Sequence, residues 1–143
     1  MKTITEDIII NDNEYYRVLS GNPEIKIIGY CNPVIDIYKN SEPTIKIYND
    51  SKPKIAACND SKLKIYAYDN SKPIIRIYDN GKSVVTTYDN SKPIIRIYDN
   101  GKSVVTTYDY SKSVIETYRN SEMERKIIKY PNWENDKSYK QKP

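Results

Sequence analysis

Residues 69–88 and 89–108 are the same twenty amino acids, DNSKPIIRIYDNGKSVVTTY, in direct succession. Around that duplication a looser period of ten residues runs from about Leu19 to about Ile128. A chain with a short fixed period folds by stacking one supersecondary unit on the next, because no single unit can bury its own apolar face. Such a stack is poorly suited to forming a cleft shaped around one reaction.

The decapeptide is best numbered so that each unit ends on its tyrosine, as in DNSKPIIRIY (69–78) and DNGKSVVTTY (79–88). The seventh position is then Ile25, Ile35, Ile45, Ile55, Ile65, Ile75, Val85, Ile95, Val105 and Ile115, β-branched every time. The ninth is Ile, Ala or Thr, and the eighth carries polar residues such as Lys26, Asp36, Arg76, Arg96 and Glu116. Apolar, polar, apolar with β-branched enrichment reads as a short half-buried strand whose seventh and ninth residues face inward. The first four positions, Asp-Asn-Ser-Lys or Asp-Asn-Gly-Lys, are turn chemistry. Pro33, Pro43, Pro53, Pro73 and Pro93 stand at the strand entrance, where a missing N–H matters least.

Two assemblies fit one turn plus one strand per unit. In an antiparallel meander or barrel, a loop at Asp79–Gly81 makes a hairpin, for which Asn-Gly is a strong signal. A meander leaves its apolar face uncovered unless it closes, and no segment offers a second layer. In a two-walled β-solenoid the walls bury each other. Ten residues are too few for two walls and two turns, whereas twenty suffice and match the duplicated length. The expected fold is therefore an all-β solenoid of about 20 residues per coil, with the antiparallel meander or barrel as the alternative.

The chain divides into an N-terminal cap at 1–18, the repeat at 19–128 and a polar C-terminal tail at 129–143, from which Trp133 could fold back as a plug. At 143 residues, 38% of them hydrophobic, the core must be narrow and regular. Fifteen tyrosines against no phenylalanine put a hydroxyl on nearly all the aromatic surface. The net charge of +4, from 23 basic and 19 acidic residues, is too small for a polybasic protein and of the wrong sign for a DNA mimic. Cys31 and Cys58 form no CxxC pair, and free thiols are expected, with a disulfide between them as the alternative. No segment approaches membrane-spanning length and the N-terminus lacks a long uncharged stretch, so a cytoplasmic location is expected, that of the host cell if the source is a phage.

The aromatic–Asp/Asn–Ser rhythm with one β-branched residue per unit resembles the short tandem-repeat β-solenoid proteins of prokaryotes and phages. That resemblance covers about three quarters of the chain, Leu19 to Ile128, and departs from the pentapeptide-repeat proteins because no five-residue period survives. It implies a fold and a scaffolding or binding role, and it transfers no site residues.

With no histidine, four glycines and two cysteines, the chain lacks the commonest general base, a phosphate-cradling loop and a zinc-spaced set. Asp69, Asp79, Asp89, Asp99 and Asp109 all hold the first turn position and read as turn formers rather than acid–base pairs or calcium ligands. No enzyme activity, metal or cofactor is expected. Two surfaces remain. Lys52, Lys62, Lys72, Lys82, Lys92, Lys102 and Lys112 hold the fourth position and form two columns, each beside an Asp column that largely offsets its charge. They are a candidate polyanion or nucleic-acid track. The other is the outward wall, where Ile74, Arg76 and Tyr78, then Ile94, Arg96 and Tyr98, then Val114, Glu116 and Tyr118 line up in three coils. Arg and Tyr favour binding hot spots. Ile74, Arg76, Tyr78, Ile94, Arg96, Tyr98 and Tyr118 are the expected protein-binding residues, against the plainer reading of the tyrosines as a structural ladder. The leading function is non-enzymatic protein binding, with a phage- or mobile-element-encoded inhibitor of a host complex as one instance. Nucleic-acid binding and structural self-assembly compete with it, and a homodimer is as compatible as a monomer.

Overall fold

The computed structural model describes residues 1–38, 40–108 and 111–128, with 124–128 described by backbone alone. The tail at 129–143, Trp133 and Asp109 lie outside the described residues. Within them every regular element is a strand, and the strands alternate between two parallel sheets. The odd sheet holds β1 (Lys2–Ile4), β3 (Tyr15–Val18), β5 (Val34–Ile37), β7 (Lys54–Ala57), β9 (Ile74–Ile77), β11 (Ile94–Ile97) and β13 (Val114–Thr117). The even sheet holds β2 (Ile8–Ile10), β4 (Glu24–Ile27), β6 (Thr44–Ile47), β8 (Lys62–Ala67), β10 (Lys82–Thr87), β12 (Lys102–Tyr108) and β14 (Glu122–Ile128).

Each strand pairs in parallel with the strand two places on, as the solenoid requires and a meander forbids. Lys62, Lys82 and Lys102 are level, one coil of twenty residues apart. Residues 1–18 supply β1, β2 and β3 in shorter coils. Lys2 is level with Tyr16 and Ile8 with Ile25, and the full step is nearly reached where Tyr15 meets Val34.

The corners explain the turn composition. From Asn49 on, the described corners are two-residue turns with left-handed residues at the first and second positions, for example Asp79 (φ 46°) and Asn80 (φ 65°). The third-position N–H then donates to the preceding tyrosine carbonyl, as from Gly81 to Tyr78 at 2.8 Å. Two consecutive positive φ values mark the type I′ turn, which Asp and Asn tolerate and β-branched residues resist. Successive turns are also bonded to each other: Asn80 N–H donates to Asp99 O at 3.1 Å. Replacing Asn80 with Val is therefore expected to lower stability by about 1–2 kcal/mol, and replacing it with Gly to change it by only a few tenths, measured by chemical denaturation.

The inward set is wider than the seventh and ninth positions. The third and fifth also face in, so Ser71, Pro73, Ile75 and Ile77 are all buried, as are Gly81, Ser83, Val85 and Thr87. Ile75, Ile77, Ile95 and Ile97 from one wall and Val85 and Val105 from the other belong to one continuous core. Some of the polar members pair, Ser83 and Ser103 sharing a 2.7 Å hydrogen bond and Thr87 donating to Ser111 at 2.9 Å, while the buried hydroxyls of Ser61 and Ser71 have no partner among the described residues. At the last coil the burial fails, with Ile115 only half-buried and Thr117 exposed.

Candidate functional site

The parallel register places the expected docking residues in columns on the outer face of the odd sheet. Ile74, Ile94 and Val114 are level with one another, as are Arg76, Arg96 and Glu116. Because the same unit recurs every twenty residues, the outward sixth and eighth side chains of β9, β11 and β13 repeat at the ~4.8 Å strand spacing. The apolar column is half-buried at Ile74 and Ile94 and opens at Val114, which is 55% exposed. At its edge Tyr78, Tyr98 and Tyr118 stack with ring centroids 4.9 and 4.8 Å apart and interplanar angles of 10° and 8°. These tyrosines are thus a ladder and part of the exposed face together.

The face continues towards the N-terminus. The sixth-position column runs back through Lys54 and Val34 to Tyr15, and the eighth through Ala56 and Asp36 to Arg17. Cys58 interrupts the tyrosine column between Tyr38 and Tyr78. Charges on the face are tied to their neighbours. Arg96 lies 3.8 Å from Glu116, and the Tyr118 hydroxyl donates to Glu116. The Tyr15 and Tyr38 hydroxyls both donate to Asp36. That hydrogen bond to a carboxylate pushes the Tyr15 phenol up to about 12, and the bond to Glu116 pushes Tyr118 up likewise. Arg76 makes no ion pair among the described residues and is exposed.

A second ladder, which sequence reasoning did not separate from the first, runs along the opposite corner. Tyr48, Tyr68, Tyr88 and Tyr108 stack at 4.9–5.0 Å, and the last three are 1%, 5% and 8% exposed. Burial, helped by the neighbouring phenols, pushes the Tyr68 hydroxyl far above its ordinary ionisation range. Its members Tyr68, Tyr88 and Tyr108 are core, and only Tyr48 is half-buried.

The lysines form the two expected columns. Among the described residues no ion pair joins a fourth-position lysine to a first-position aspartate. In the column of Lys62, Lys82 and Lys102 the compensation comes from its ends, where Glu42 lies 4.0 Å from Lys62 and Glu122 lies 3.8 Å from Lys102. A groove of about 760 Å³ runs beside this column over Leu63, Ser83 and Ser103, with Val84 and Val104 on its far lip. In the other column Lys72, Lys92 and Lys112 share a shallower depression of about 510 Å³ with Asp50, Asn70 and Asn90. The first-position aspartates Asp69, Asp79, Asp89 and Asp99 are the leading residues of the I′ turns.

Cys31 and Cys58 are unpaired, and burial pushes both thiols up. Among the described residues no three His, Cys, Asp or Glu side chains converge as a metal site would require. No protein family model, curated protein or solved structure matches the chain. Any functional reading therefore rests on these surfaces themselves.

Proposed function

We propose that the chain is a non-enzymatic protein-binding scaffold that docks through the outer face of its odd sheet. The observation that carries this is the register of Ile74, Arg76 and Tyr78 with Ile94, Arg96 and Tyr98 and with the exposed Val114 and Tyr118. Aliphatic, guanidinium and aromatic columns side by side give a contiguous partly apolar surface in residue types that dominate binding hot spots. Backbone hydrogen bonding through both sheets and both corners keeps that surface preorganised, so little entropy is lost on docking. Obstruction of a larger complex, as by an inhibitor carried on a phage or mobile element, is a use to which such a small rigid rod is suited by analogy of size and style.

The double substitution Arg76→Ser/Arg96→Ser tests the face without disturbing either tyrosine ladder. Proteins captured by the immobilised chain from the cells that express it should be lost from this variant. They should be kept by Lys62→Ser/Lys82→Ser/Lys102→Ser, with unchanged circular dichroism in both. Capture indifferent to the arginines removes the face from consideration.

A second reading, polyanion binding, is favoured by one observation: Lys52, Lys72, Lys92 and Lys112 have no ion-pair partner among the described residues. Lysine–phosphate contacts must weaken steeply with salt. Capture of nucleic acid that persists in the arginine variant and falls with salt would move this reading to first place.

A further inference from the structure

The outward eighth column of the odd sheet, followed from β3 to β13, reads Arg17, Asp36, Ala56, Arg76, Arg96, Glu116. Its signs are plus, minus, neutral, plus, plus, minus. Turned end for end, the same column reads minus, plus, plus, neutral, minus, plus. The two orders meet with opposite charges or a neutral residue at every row and with like charges at none. From this we infer that the partner of the odd-sheet face is a second copy of this chain, docked face to face with the two rods antiparallel.

The symmetry follows from the pattern. A two-fold axis lying in the interface, parallel to the strands and between β7 and β9, keeps each column over itself and reverses the rows. Arg17 then faces the partner's Glu116, Asp36 faces the partner's Arg96, and Ala56 faces the partner's Arg76. The sixth column follows, with Tyr15 over the partner's Val114, Val34 over the partner's Ile94 and Lys54 over the partner's Ile74. An axis along the rod and over the eighth column instead sets Arg76 on Arg76, Arg96 on Arg96 and Asp36 on Asp36, which like-charge repulsion disfavours. The even sheet has no such pattern: its own eighth column, Lys26, Lys46, Tyr66, Thr86, Thr106 and Lys126, places Lys26 on Lys126 when reversed.

The face spans about 24 Å along the rod and about 14 Å across it at the strand and residue spacings. That footprint, roughly 700 Å² over the two copies, is below the usual size of a specific interface, so the dimer is weak and concentration-dependent, and its exposed ion pairs weaken with salt. The inference rests on the odd-sheet face being the docking surface, and the test separates the two.

Sedimentation velocity of the full chain, from micromolar to millimolar, should show a monomer–dimer equilibrium. Asp36→Arg alone sets Arg on Arg, and Arg96→Asp alone sets Asp on Asp. Each should raise the dissociation constant at least about ten-fold. The double variant restores both pairs and should return it to within about three-fold of the original. Since Asp36 also accepts from Tyr15 and Tyr38, the swap of Arg17→Glu with Glu116→Arg supplies an independent rescue at the outer rows. A monomer at every concentration overturns the dimer and leaves the face to the capture experiment. A dimer indifferent to all four reversals overturns both the register and this face as its site.

Discussion

Replacing Tyr88 with alanine should cost about 3–5 kcal/mol of folding free energy, the range for deleting a buried aromatic ring. The same change at Tyr98 should cost about half as much. The two residues are matched by accident of the repeat. Tyr88 stacks between Tyr68 and Tyr108 at 5.0 and 4.9 Å, and Tyr98 between Tyr78 and Tyr118 at 4.9 and 4.8 Å. Stacking energy, about 0.5–1.5 kcal/mol per pair, is therefore common to both. They differ in burial: Tyr88 is 5% exposed and Tyr98 is half-buried. Denaturation of the two single variants isolates the burial contribution, and equal losses would show that stacking, not desolvation, holds the corners.

This pair also marks the limit of what could be read in advance. Tyr88 and Tyr98 occupy the same unit position, yet one lies in a buried cluster with Tyr68 and Tyr108 and the other on the candidate docking face. Nothing in a ten-residue pattern says which corner is covered, because coverage depends on how the two walls meet. The strand positions were legible because the two-residue alternation of a pleated strand maps directly onto sequence, as at Ile75, Arg76 and Ile77. The turn was legible in chemistry, since the loop expected at Asp79–Gly81 contains the left-handed pair Asp79-Asn80. Gly81 instead sits where a Cβ would come within 3.0 Å of Ile77 and 2.9 Å of the Tyr78 carbonyl oxygen. The turn type is that of a hairpin, but here it carries the chain from one wall to the other. The lysine columns were legible along the sequence, whereas their ion pairs were not: the stack brings Glu42 to Lys62 and Glu122 to Lys102 from coils twenty residues away.

Deleting residues 69–88 should leave a folded protein with the same two sheets and a lower unfolding midpoint. Tyr68 would then run directly into Asp89, the residue type that follows it now. Every new neighbour copies an existing one: β8 meets β12 as it now meets β10, and Lys54 comes level with Ile94 as it now does with Ile74. The loss is one unit and one interface, as for any quasi-one-dimensional stack. Deleting the single residue Val84 should do more damage. Both flanking turns are pinned by their neighbours, so the shortened strand must turn Val85 outward and Thr86 inward or break a corner. That forfeits about 1.5–3 kcal/mol of burial for the valine before any strain in the turns. Thermal unfolding followed by circular dichroism separates the cases, and failure of the twenty-residue deletion to fold would refute the independence of the coils. The same deletion bears on association. Without the Arg76 row the eighth column reads plus, minus, neutral, plus, minus, which still meets its own reverse with no like charges. A third copy of the twenty residues would instead add one more arginine and set Arg against Arg on the two-fold axis. The shortened chain should therefore dimerise and the lengthened one should do so less well, although the lengthened rod has the larger face.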